Sequence, residues 1–469
     1  MKILLINPPN ENLILTNLPE SLAQEDIMPP LGLMYVAAYL EKNTSHQVKI
    51  LDCLIEKLNY DQLEKKIEQE KPDLVGITTL TFTLIDVLKT AKIIKGVNQN
   101  IKVVLGGPHV NIYPEETLNF PEVDYLILGE GEKPSKDLID NINQTENLYN
   151  FKGIAFKDGN RVINPGPREL IQDLNELPFP ARNLISNEKY SSVLSKKNPV
   201  ATMFSSRGCP FKCTFCNRAH LGKVFRARSA KNVVDEMEEC KKKGIEEIFI
   251  YDDTFTIQRQ RVIDICSEIK NRDLKINWDV RARVDTVDKE MLKEMKETGC
   301  QRIHYGVEAG TQKILNVLKK GITLEQTEKA FKLTKKAGIE TLAYFMLGSP
   351  TETKEDIFQT IKFAKKIKPD FVCFSITTPY PLTELYSLGL KEKILPHDYW
   401  QKFAQNPQPN FVPFVWEEKI SRQELLSLLK KAYRSFYLRP SYVFQKVLQI
   451  KSVRELLNKT KTALDILKI

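Results

Sequence analysis

The hydrophobic positions of residues 1–145 follow two alternating patterns. Short runs of β-branched and other apolar residues predict buried strands, and apolar positions three and four apart predict helices between them. The strands are predicted at Lys2–Asn7, Val48–Asp52, Leu74–Thr78, Lys102–Leu105 and Tyr125–Leu128, and the helices at Leu31–Lys42, Tyr60–Gln69, Leu84–Lys95 and Pro114–Asn119. Strands that alternate with helices form a parallel sheet covered on both faces, so the pattern predicts an open α/β domain.

Several of these strands end in turn-forming residues. The turns are Asn7-Pro8-Pro9, Gly106-Gly107-Pro108 and Gly129-Glu130-Gly131. Because ligands of an open parallel sheet bind beyond the carboxyl ends of its strands, the sequence predicts a ligand site at this edge.

A second alternating series begins at residue 201. Before it, residues 146–200 contain two proline-rich breaks and predict a linker with short strands. The strands of the series are predicted at Thr202–Ser205, Glu247–Tyr251, Ile276–Arg281, Arg302–Gly306, Glu340–Met346 and Phe371–Ile376, and its helices at Ser229–Lys242, Gln258–Asn271, Lys289–Thr298, Thr323–Ala337 and Lys354–Lys366. Six strands with intervening helices over residues 201–383 predict a partial barrel. Residues 384–469 are predicted to be a helical region.

Composition and charge narrow the class of protein without identifying a partner. Hydrophobic residues make up 42% of the 469 residues and charged residues 28%, which suits a globular chain and excludes a disordered or fibrous one. The 69 Lys and Arg exceed the 60 Asp and Glu, and this mild excess does not require an acidic partner. The longest apolar run, Leu31–Leu40, is about half of a membrane span, and the N-terminal run is too short for a signal peptide, so we expect a cytoplasmic protein.

Three of the eight cysteines lie on one predicted loop. Cys209, Cys213 and Cys216 follow the first strand of the second series with the spacing C-x3-C-x2-C. Three thiolates on one loop can hold three irons of a cubane cluster and leave the fourth iron open to a small molecule. The alternative is a zinc site completed by His220, although one short loop would then have to wrap the ion alone. The other cysteines are predicted to be small core residues: Cys53, Cys240, Cys266, Cys300 and Cys373.

This cysteine loop, with Phe215 before its third cysteine and a partial barrel around it, resembles the signature of the radical SAM superfamily. The resemblance implies a [4Fe-4S] cluster on the three cysteines, whose open iron binds the amino and carboxylate groups of S-adenosylmethionine (SAM). It also implies a low-potential electron donor such as flavodoxin or ferredoxin, whose electron cleaves SAM to methionine and a 5′-deoxyadenosyl radical. Phe215 is implied to contact the adenine.

Further SAM contacts are implied at the ends of other barrel strands. Asp252 or Asp253 would face the methionyl amino group, although paired aspartates also serve as helix caps. Arg281 or Arg283 would pair with the SAM carboxylate, and the alternative for both is a solvated rim. Glu308 resembles the acid that accepts hydrogen bonds from the ribose hydroxyls.

The end of the fifth barrel strand departs from the family pattern. The sequence reads Met346-Leu347-Gly348-Ser349-Pro350-Thr351-Glu352 where relatives usually read Gly-Leu-Pro-Gly-Glu. Side-chain roles are therefore not carried over to this turn, and SAM-binding by Leu347 is expected through backbone contacts with the adenine.

The first domain resembles that of the cobalamin-dependent radical SAM enzymes, which include the magnesium-protoporphyrin ester cyclase and many C-methyltransferases. The shared motifs are Asn7-Pro8-Pro9, Pro29-Pro30-Leu31-Gly32-Leu33, Gly106-Gly107-Pro108-His109, Leu128-Gly129-Glu130-Gly131-Glu132 and Thr378-Pro379-Tyr380-Pro381-Leu382-Thr383. This resemblance implies a Rossmann-like, B12-binding domain with cobalamin on the carboxyl edge of its sheet, next to small residues that permit close approach. The implied contacts are Pro9, Leu33, Thr78, Thr79, Gly106, Gly107, His109, Gly129, Glu130 and Gly131.

The axial ligand of cobalt is not expected to be a histidine. The Asp-x-His-x-x-Gly motif of other B12 proteins is absent, because none of the five histidines has Asp two positions earlier. Cobalamin is therefore expected base-off, with His109 as a loop or tail contact. The alternative is a domain that keeps its shape and has lost the cofactor.

These motifs favour two functions and argue against two others. The first is a cobalamin-dependent C-methyltransferase acting on an unactivated carbon, and the second keeps both cofactors but cyclises, oxidises or rearranges without methyl transfer. A tRNA methylthiotransferase is excluded, because it needs three further cluster cysteines in a first domain that has only Cys53. A cobalamin sensor or carrier is the non-enzymatic alternative, and the intact cysteine loop argues against it.

The C-terminal residues 439–469 carry seven basic side chains and two acidic ones. A basic amphipathic helix can rest weakly on an anionic membrane, which would suit a lipid-like substrate, whereas the plainer interpretation is a helix packed on the barrel. We expect a small-molecule or lipid-like substrate and no nucleic acid, because no nucleic-acid-binding module is present.

Overall fold

Two large β-sheets organise the chain, whose structure is a computed structural model that describes residues 1–15, 27–217 and 222–448. In chain order, the described strands β1 to β15 span Lys2–Asn7, Gln47–Asp52, Leu74–Thr78, Lys102–Gly106, Tyr125–Ile127, Ile154–Asp158, Arg161–Ile163, Val200–Met203, Ser206–Arg207, Arg226–Ala227, Glu247–Ile250, Asn277–Ala282, Cys300–Glu308, Glu340–Leu347 and Phe371–Ile376. The described helices α1 to α16 span Leu31–Asn43, Tyr60–Glu70, Leu84–Val97, Pro114–Leu118, Glu132–Asn141, Thr145–Leu148, Ala230–Lys242, Arg259–Asn271, Lys289–Glu297, Gln312–Val317, Leu324–Lys336, Lys354–Ile367, Glu384–Lys391, Tyr399–Gln405, Arg422–Tyr437 and Pro440–Leu448.

The first sheet has the order β2-β1-β3-β4-β5-β6-β7, and β1 to β5 are parallel. The strands and helices predicted over residues 1–145 are confirmed to within two residues at their ends. β6 and β7 extend the sheet in antiparallel fashion from the segment that was expected to be a linker with short strands. Ile154, Ala155 and Phe156 of β6 are buried, and burying this apolar run is what favours its pairing with β5.

The second sheet contains parallel strands in the order β15-β14-β13-β12-β11-β8. The strands and helices predicted for this series are also confirmed to within two residues. Side chains alternate across each strand: Trp278, Val280 and Ala282 of β12 pack in the core with the outer helices, whereas Asp279 and Arg281 face the inner side. Sequential parallel strands with β8 and β15 as the two edges form the partial barrel that the sequence predicts.

The helices after β15 connect the two domains. Tyr399 and Trp400 of α14 pack in one apolar cluster with Leu84 and Ile85 of α3. α16 forms the first part of the basic C-terminal region, and residues 449–469 lie outside the described part of the chain. Within the described ranges, no helix has both the length and the apolar character needed to cross a membrane.

A buried ion network ties the segment before β8 to the barrel. Arg182 donates to one carboxylate oxygen of Glu236 at 2.6 Å, and Arg228 donates to the other. Each of these side chains is at most 5% exposed. Removing one partner from such a network would leave an uncompensated buried charge, so the network holds the segment in one position. No motif in the sequence indicates it.

The turn after β14 is closed by a buried carboxyl group. Glu352 accepts hydrogen bonds from the backbone N–H groups of Gly348 and Ser349 at 2.7 and 2.8 Å. Burial raises the pKa of Glu352 to about 7, despite these two hydrogen bonds. The native state therefore retains a proton on this carboxyl at pH values where the unfolded chain has released it.

We expect Glu352 to lower the stability of the protein as the pH rises from about 5 to about 8. Because the folded pKa lies above the unfolded one, the protonated group is fully compatible with the fold at low pH, and stability is lost as the pH rises through the folded pKa. The Glu352→Gln variant, which keeps an acceptor oxygen, should show a flatter pH dependence of the urea denaturation midpoint. The exposed Glu355→Gln variant is the control, and equal pH dependence in Glu352→Gln and the parent chain would contradict the prediction.

Candidate active site

The three clustered cysteines lie on a loop that closes at a two-stranded neck. β9 and β10 pair in antiparallel fashion and form the neck of the loop, which consists of residues 208–225. Cys209 and Cys213 are half-buried, and Cys216 is exposed. His220, the fourth ligand of the zinc alternative, lies outside the described residues.

Hydrogen bonds hold the middle of this loop at the mouth of the barrel. Thr214 N–H donates to Leu318 O at 3.1 Å, and Leu385 N–H donates to Thr214 O at 2.9 Å. Asn217 Nδ2 donates to Pro381 O at 3.0 Å. The loop is thereby attached to the segments that follow β13 and β15.

One buried cation approaches a sulfur of the loop. A guanidinium nitrogen of Arg283 lies 4.0 Å from Cys213 Sγ, and the guanidinium carbon lies 3.7 Å from the ring centroid of Phe211. Two of its nitrogens also bind the carboxylate of Asp285 at 3.0 Å, which fixes the orientation of the side chain. Arg283 is therefore placed beside the loop, where its charge attracts a thiolate, and not on a solvated rim.

The donor chemistry of the loop fits an iron–sulfur cluster. Three thiol side chains occur within residues 209–216 at the mouth of the barrel, and thiolates are the ligands that such clusters take. Among the described residues, no three His, Cys, Asp or Glu side chains stand close enough together to hold a metal ion. The assignment of the cysteines to one cluster therefore stays a prediction that rests on their shared loop.

Asp252 binds the neck of the cysteine loop. Its carboxylate accepts hydrogen bonds from the backbone N–H groups of Ser205 and Ser206 at 2.7 and 3.0 Å, and from their hydroxyls at 2.6 and 2.5 Å. Both oxygens are engaged in the buried interior, so this carboxylate positions the loop. Asp253, three residues after the end of β11, is exposed, and its contact with the SAM amino group stays a prediction.

Glu308, Lys320 and Phe215 form one group at the carboxyl end of β13. The buried carboxylate of Glu308 accepts a hydrogen bond from Lys320 Nζ at 2.8 Å, and that nitrogen lies 5.9 Å from the ring centroid of Phe215. The backbone at Glu308 has φ +70°, a left-handed conformation that costs free energy for a residue with a side chain. The structure thus brings two predicted SAM contacts together and adds Lys320, which no motif indicates.

The other two predicted SAM contacts lie on opposite sides of the sheet. Arg281 is exposed on the inner face, where its guanidinium carbon lies 4.5 Å from the ring centroid of Tyr251. Leu347 is fully buried in the core, and its carbonyl oxygen accepts a hydrogen bond from Thr377 N–H at 2.8 Å. The side chain of Leu347 is therefore a core residue, which leaves only its backbone for a ligand.

Three polar side chains form a line on the inner face of the barrel. Tyr344 OH lies 3.0 Å from His304 Nδ1, and His304 Nε2 lies 3.4 Å from Asp279 Oδ2. Burial raises the pKa of Tyr344 far above its ordinary value, so the phenol keeps its proton. No motif assigns these residues a role, although the alternation along the predicted strands puts all three on the side opposite the helices.

The carboxyl ends of β3 and β4 form a tight corner of the first sheet. Thr79 N–H donates to Gly106 O at 2.7 Å, and His109 N–H donates to Thr79 O at 3.2 Å. Gly107 has φ +112°, and a Cβ added there would lie 2.9 Å from Thr79 O, so glycine is required. Among the described residues, a Cβ at Gly106 would approach only Ile127 Cβ, at 3.8 Å. The edge is therefore open at Gly106, which fits close approach by a large flat ligand such as cobalamin.

His109 is enclosed by the first domain. Its residue surface is fully buried, and Nδ1 lies 3.0 Å from Thr81 Oγ1. Burial lowers the pKa of His109 to about 3, so the ring is neutral. Within the described chain, Nε2 has no hydrogen-bond partner. The ring belongs to the interior of the domain, and its contact with cobalamin stays a prediction.

Asn111 ties two of the predicted cobalamin turns together. Its Nδ2 donates to Gly107 O at 2.9 Å, and its Oδ1 accepts a hydrogen bond from Gly129 N–H at 2.6 Å. Of the remaining predicted cobalamin contacts, Thr78 and Gly131 are half-buried, and Pro9 and Leu33 are buried. The sequence does not single out Asn111, although it stands two residues after the glycine-turn histidine.

The side chain of Glu130 points toward the barrel domain. Its Oε1 lies 2.8 Å from a nitrogen of Arg207, and its Oε2 lies 2.9 Å from a nitrogen of Arg226. Both carboxylate oxygens are thus bound to the neck of the cysteine loop, which leaves the backbone of Glu130 for the predicted cobalamin contact. The turn after β5 is therefore shared between the two domains.

Comparison with known proteins agrees with this arrangement. The radical SAM superfamily matches residues 203–364, and the B12 binding domain matches residues 24–139. An uncharacterized methyltransferase of Pyrococcus horikoshii is 38% identical, over 96% of this chain and 95% of its own length. The anaerobic magnesium-protoporphyrin IX monomethyl ester cyclase of Rubrivivax gelatinosus is 32% identical, over 88% of this chain and 75% of its own.

The fold is also that of a solved enzyme. The cobalamin-dependent SAM radical enzyme OxsB, with aqua-cobalamin and SAM bound, superimposes with a TM-score of 0.77 over 99% of this chain and 72% of its own length. At 19% sequence identity, this likeness concerns the fold alone. The matched domains, the two relatives and the shared fold confirm the resemblance, and the chain belongs to the family of cobalamin-binding radical SAM enzymes.

Proposed function

We propose that this protein methylates an unactivated carbon of a small or lipid-like substrate, as a cobalamin-dependent radical SAM enzyme. The observation that carries the proposal is the contact of the cysteine-loop neck with Glu130, which stands in a turn at the open edge of the first sheet. Radical and methyl chemistry must reach the same substrate carbon, so two cofactor sites have to meet at one interface. The Pyrococcus methyltransferase, at 38% identity, supports methylation.

Each group of residues has its own role in this proposal. The three loop thiolates are the cluster ligands, and the proposed SAM contacts are Phe215, Asp253, Arg281, Glu308 and the backbone of Leu347. When bound, the cluster supplies the electron that cleaves SAM, and cobalamin carries the methyl group. Lys320 holds the carboxylate of Glu308 in place.

The inner face of the barrel supplies groups that would orient the substrate. His304 lies between Tyr344 and Asp279, with Nδ1 3.0 Å from Tyr344 OH and Nε2 3.4 Å from Asp279 Oδ2. Together these side chains form a polar surface on the inner face that would orient a substrate hydroxyl or amine. Phe249 and Val200 also pack together in a buried apolar cluster, and an apolar surface next to a bound substrate would keep water from it.

A second candidate is ring closure, oxidation or rearrangement without methyl transfer. The Rubrivivax cyclase, at 32% identity over 88% of this chain, favours it. Both candidates use the same two cofactors and differ in whether a methyl group leaves SAM.

The proposal extends to the cofactor state and the partners. Base-off cobalamin without a histidine ligand is proposed because His109 is fully buried inside the domain, with Nδ1 3.0 Å from Thr81 Oγ1. A flavodoxin or ferredoxin is proposed as electron donor, and the cytoplasm as the compartment in which the thiols stay reduced. A weak contact of the basic residues 439–469 with an anionic membrane surface is also proposed.

The products of SAM distinguish the two candidates. The full chain, reconstituted without oxygen with iron, sulfide and hydroxocobalamin and then reduced, is expected to form 5′-deoxyadenosine and S-adenosylhomocysteine. The first reports radical cleavage, and the second reports that a methyl group has left SAM. In Cys213→Ala the 5′-deoxyadenosine should disappear, while Cys240→Ala, on the buried face of α7, should retain it.

Each other outcome of this experiment has a defined meaning. 5′-Deoxyadenosine without S-adenosylhomocysteine would favour the second candidate. Cleavage that survives in Cys213→Ala would contradict the cluster assignment, and the absence of both products in the parent chain would contradict the proposed function.

Cobalamin binding at the open corner has its own test. A Cβ at Gly106 has only Ile127 within 4 Å among the described residues, so we expect Gly106→Val to fold and to bind hydroxocobalamin at least about tenfold more weakly. Absorbance titration measures the affinity, and the thermal midpoint reports the fold. Gly96→Ala, where a Cβ has open space, is the control. Unchanged affinity in Gly106→Val would place cobalamin elsewhere.

A further inference from the structure

The turn after β5 and the neck of the cysteine loop share one buried ion cluster, here called the neck cluster and consisting of Glu130, Glu132, Arg207 and Arg226. Arg207 donates to Glu130 at 2.8 Å and to Glu132 at 2.5 Å, and Arg226 donates to Glu130 at 2.9 Å. All four side chains are at most 5% exposed. Burial alone would raise the pKa of Glu130, but the arginines offset it and hold the pKa below its ordinary value.

The two arginines stand on opposite strands of the neck. Arg207 of β9 and Arg226 of β10 are direct partners in the strand register, so one precedes the cysteine loop and the other follows it. Glu130 therefore bridges both ends of the loop with one carboxylate. Its Oε2 also accepts a hydrogen bond from Ile171 N–H at 2.7 Å, and Arg226 donates to Ile171 O at 2.5 Å, which fixes the direction of the contact.

The same turn is attached to the open corner of the first sheet. Glu130 lies between Gly129 and Gly131, and Asn111 connects Gly129 N–H to the carbonyl oxygen of Gly107. A ligand bound at the corner at Gly107 therefore restrains the turn after β5, and through this turn it restrains the neck of the cysteine loop. Moving this turn away from the neck would leave the buried charges of Glu130 and the two arginines without their partners, which is costly.

We propose that Glu130 is a positioning residue that couples cobalamin binding at the first sheet to cluster assembly on the cysteine loop, an inference that rests on the proposed function. Cluster ligation restrains the loop that Arg207 and Arg226 flank, and cobalamin restrains the turn that carries Glu130, so each binding event stabilises the same buried ion pairs and favours the other. Because coupling between two binding events is reciprocal, cobalamin stabilises the assembled cluster by the same factor.

The coupling is measured as a ratio of two affinities. Hydroxocobalamin should bind cluster-loaded parent protein at least about fivefold more tightly than cluster-free parent protein, as followed by absorbance titration. In the double variant Glu130→Gln with Arg226→Leu this ratio should fall to about one. Removing both partners leaves no lone charge and keeps the pair of Arg207 with Glu132, so the fold should survive.

A second variant tests the coupling even if the double variant does not fold. Glu130→Asp keeps the charge but shortens the side chain by one methylene, and it should reduce the ratio at least about twofold. The matched control is Glu56→Gln, which removes an exposed 2.6 Å ion pair with Lys189 between the first domain and the segment before the barrel. That control should retain the parent ratio.

Three outcomes would overturn the inference. A parent ratio of one, or a ratio that survives in the double variant and in Glu130→Asp, would remove the coupling and leave the proposed function standing. A parent chain that takes up neither hydroxocobalamin nor iron and sulfide would overturn the proposed function and this inference together.

Discussion

The contact between the carboxylate of Glu130 and the two arginines of the neck determines how the halves of the molecule meet. Apolar side chains of similar size would hold two domains together at least as strongly, because burying ions costs desolvation free energy. What Arg207 and Arg226 add is direction, since a guanidinium binds a carboxylate at a fixed distance and angle. The base of the cysteine loop is therefore set relative to the open edge of the first sheet.

The remaining attachments of the cysteine loop complete this arrangement. Asp252 binds the neck from the end of β11, and backbone bonds of Thr214 hold the middle of the loop to segments after β13 and β15. The cysteine loop, the mouth of the barrel and the first sheet are thus joined to one another by contacts of the chain itself. Such preorganisation is what an enzyme needs to hold reacting groups at short distance and to keep water out.

Most of the fold follows from periodicity, because the central strands are buried on both faces and read as apolar runs. The spacing of the three cysteines predicts the cysteine loop, and the turn residues after β1, β4 and β5 predict the ligand-binding edge of the first sheet. The neck cluster is not predictable from the sequence in this way, because Glu130 is 77 positions from Arg207 and 96 from Arg226, and no local pattern links them. Long-range charge pairing depends on how the domains dock, which periodicity does not encode.

Asp252 shows a different limit of the sequence. Its position after β11 matches a SAM contact in the family, yet its oxygens are used by Ser205 and Ser206. A motif places a residue at a strand end, but the neighbouring backbone decides which groups its side chain meets. The segment before the barrel is a similar case, because the sequence predicts a linker with short strands but does not indicate that β6 and β7 extend the first sheet.

The magnetic interaction between the two cofactors tests most directly whether their sites share one interface. Electron paramagnetic resonance would be recorded on the full chain with the reduced cluster alone, with Co(II) cobalamin alone, and with both. The structure predicts that the doubly loaded spectrum is broadened or split relative to the sum of the other two, because the cysteine loop and the open edge are joined through one turn. A doubly loaded spectrum equal to that sum would contradict the account.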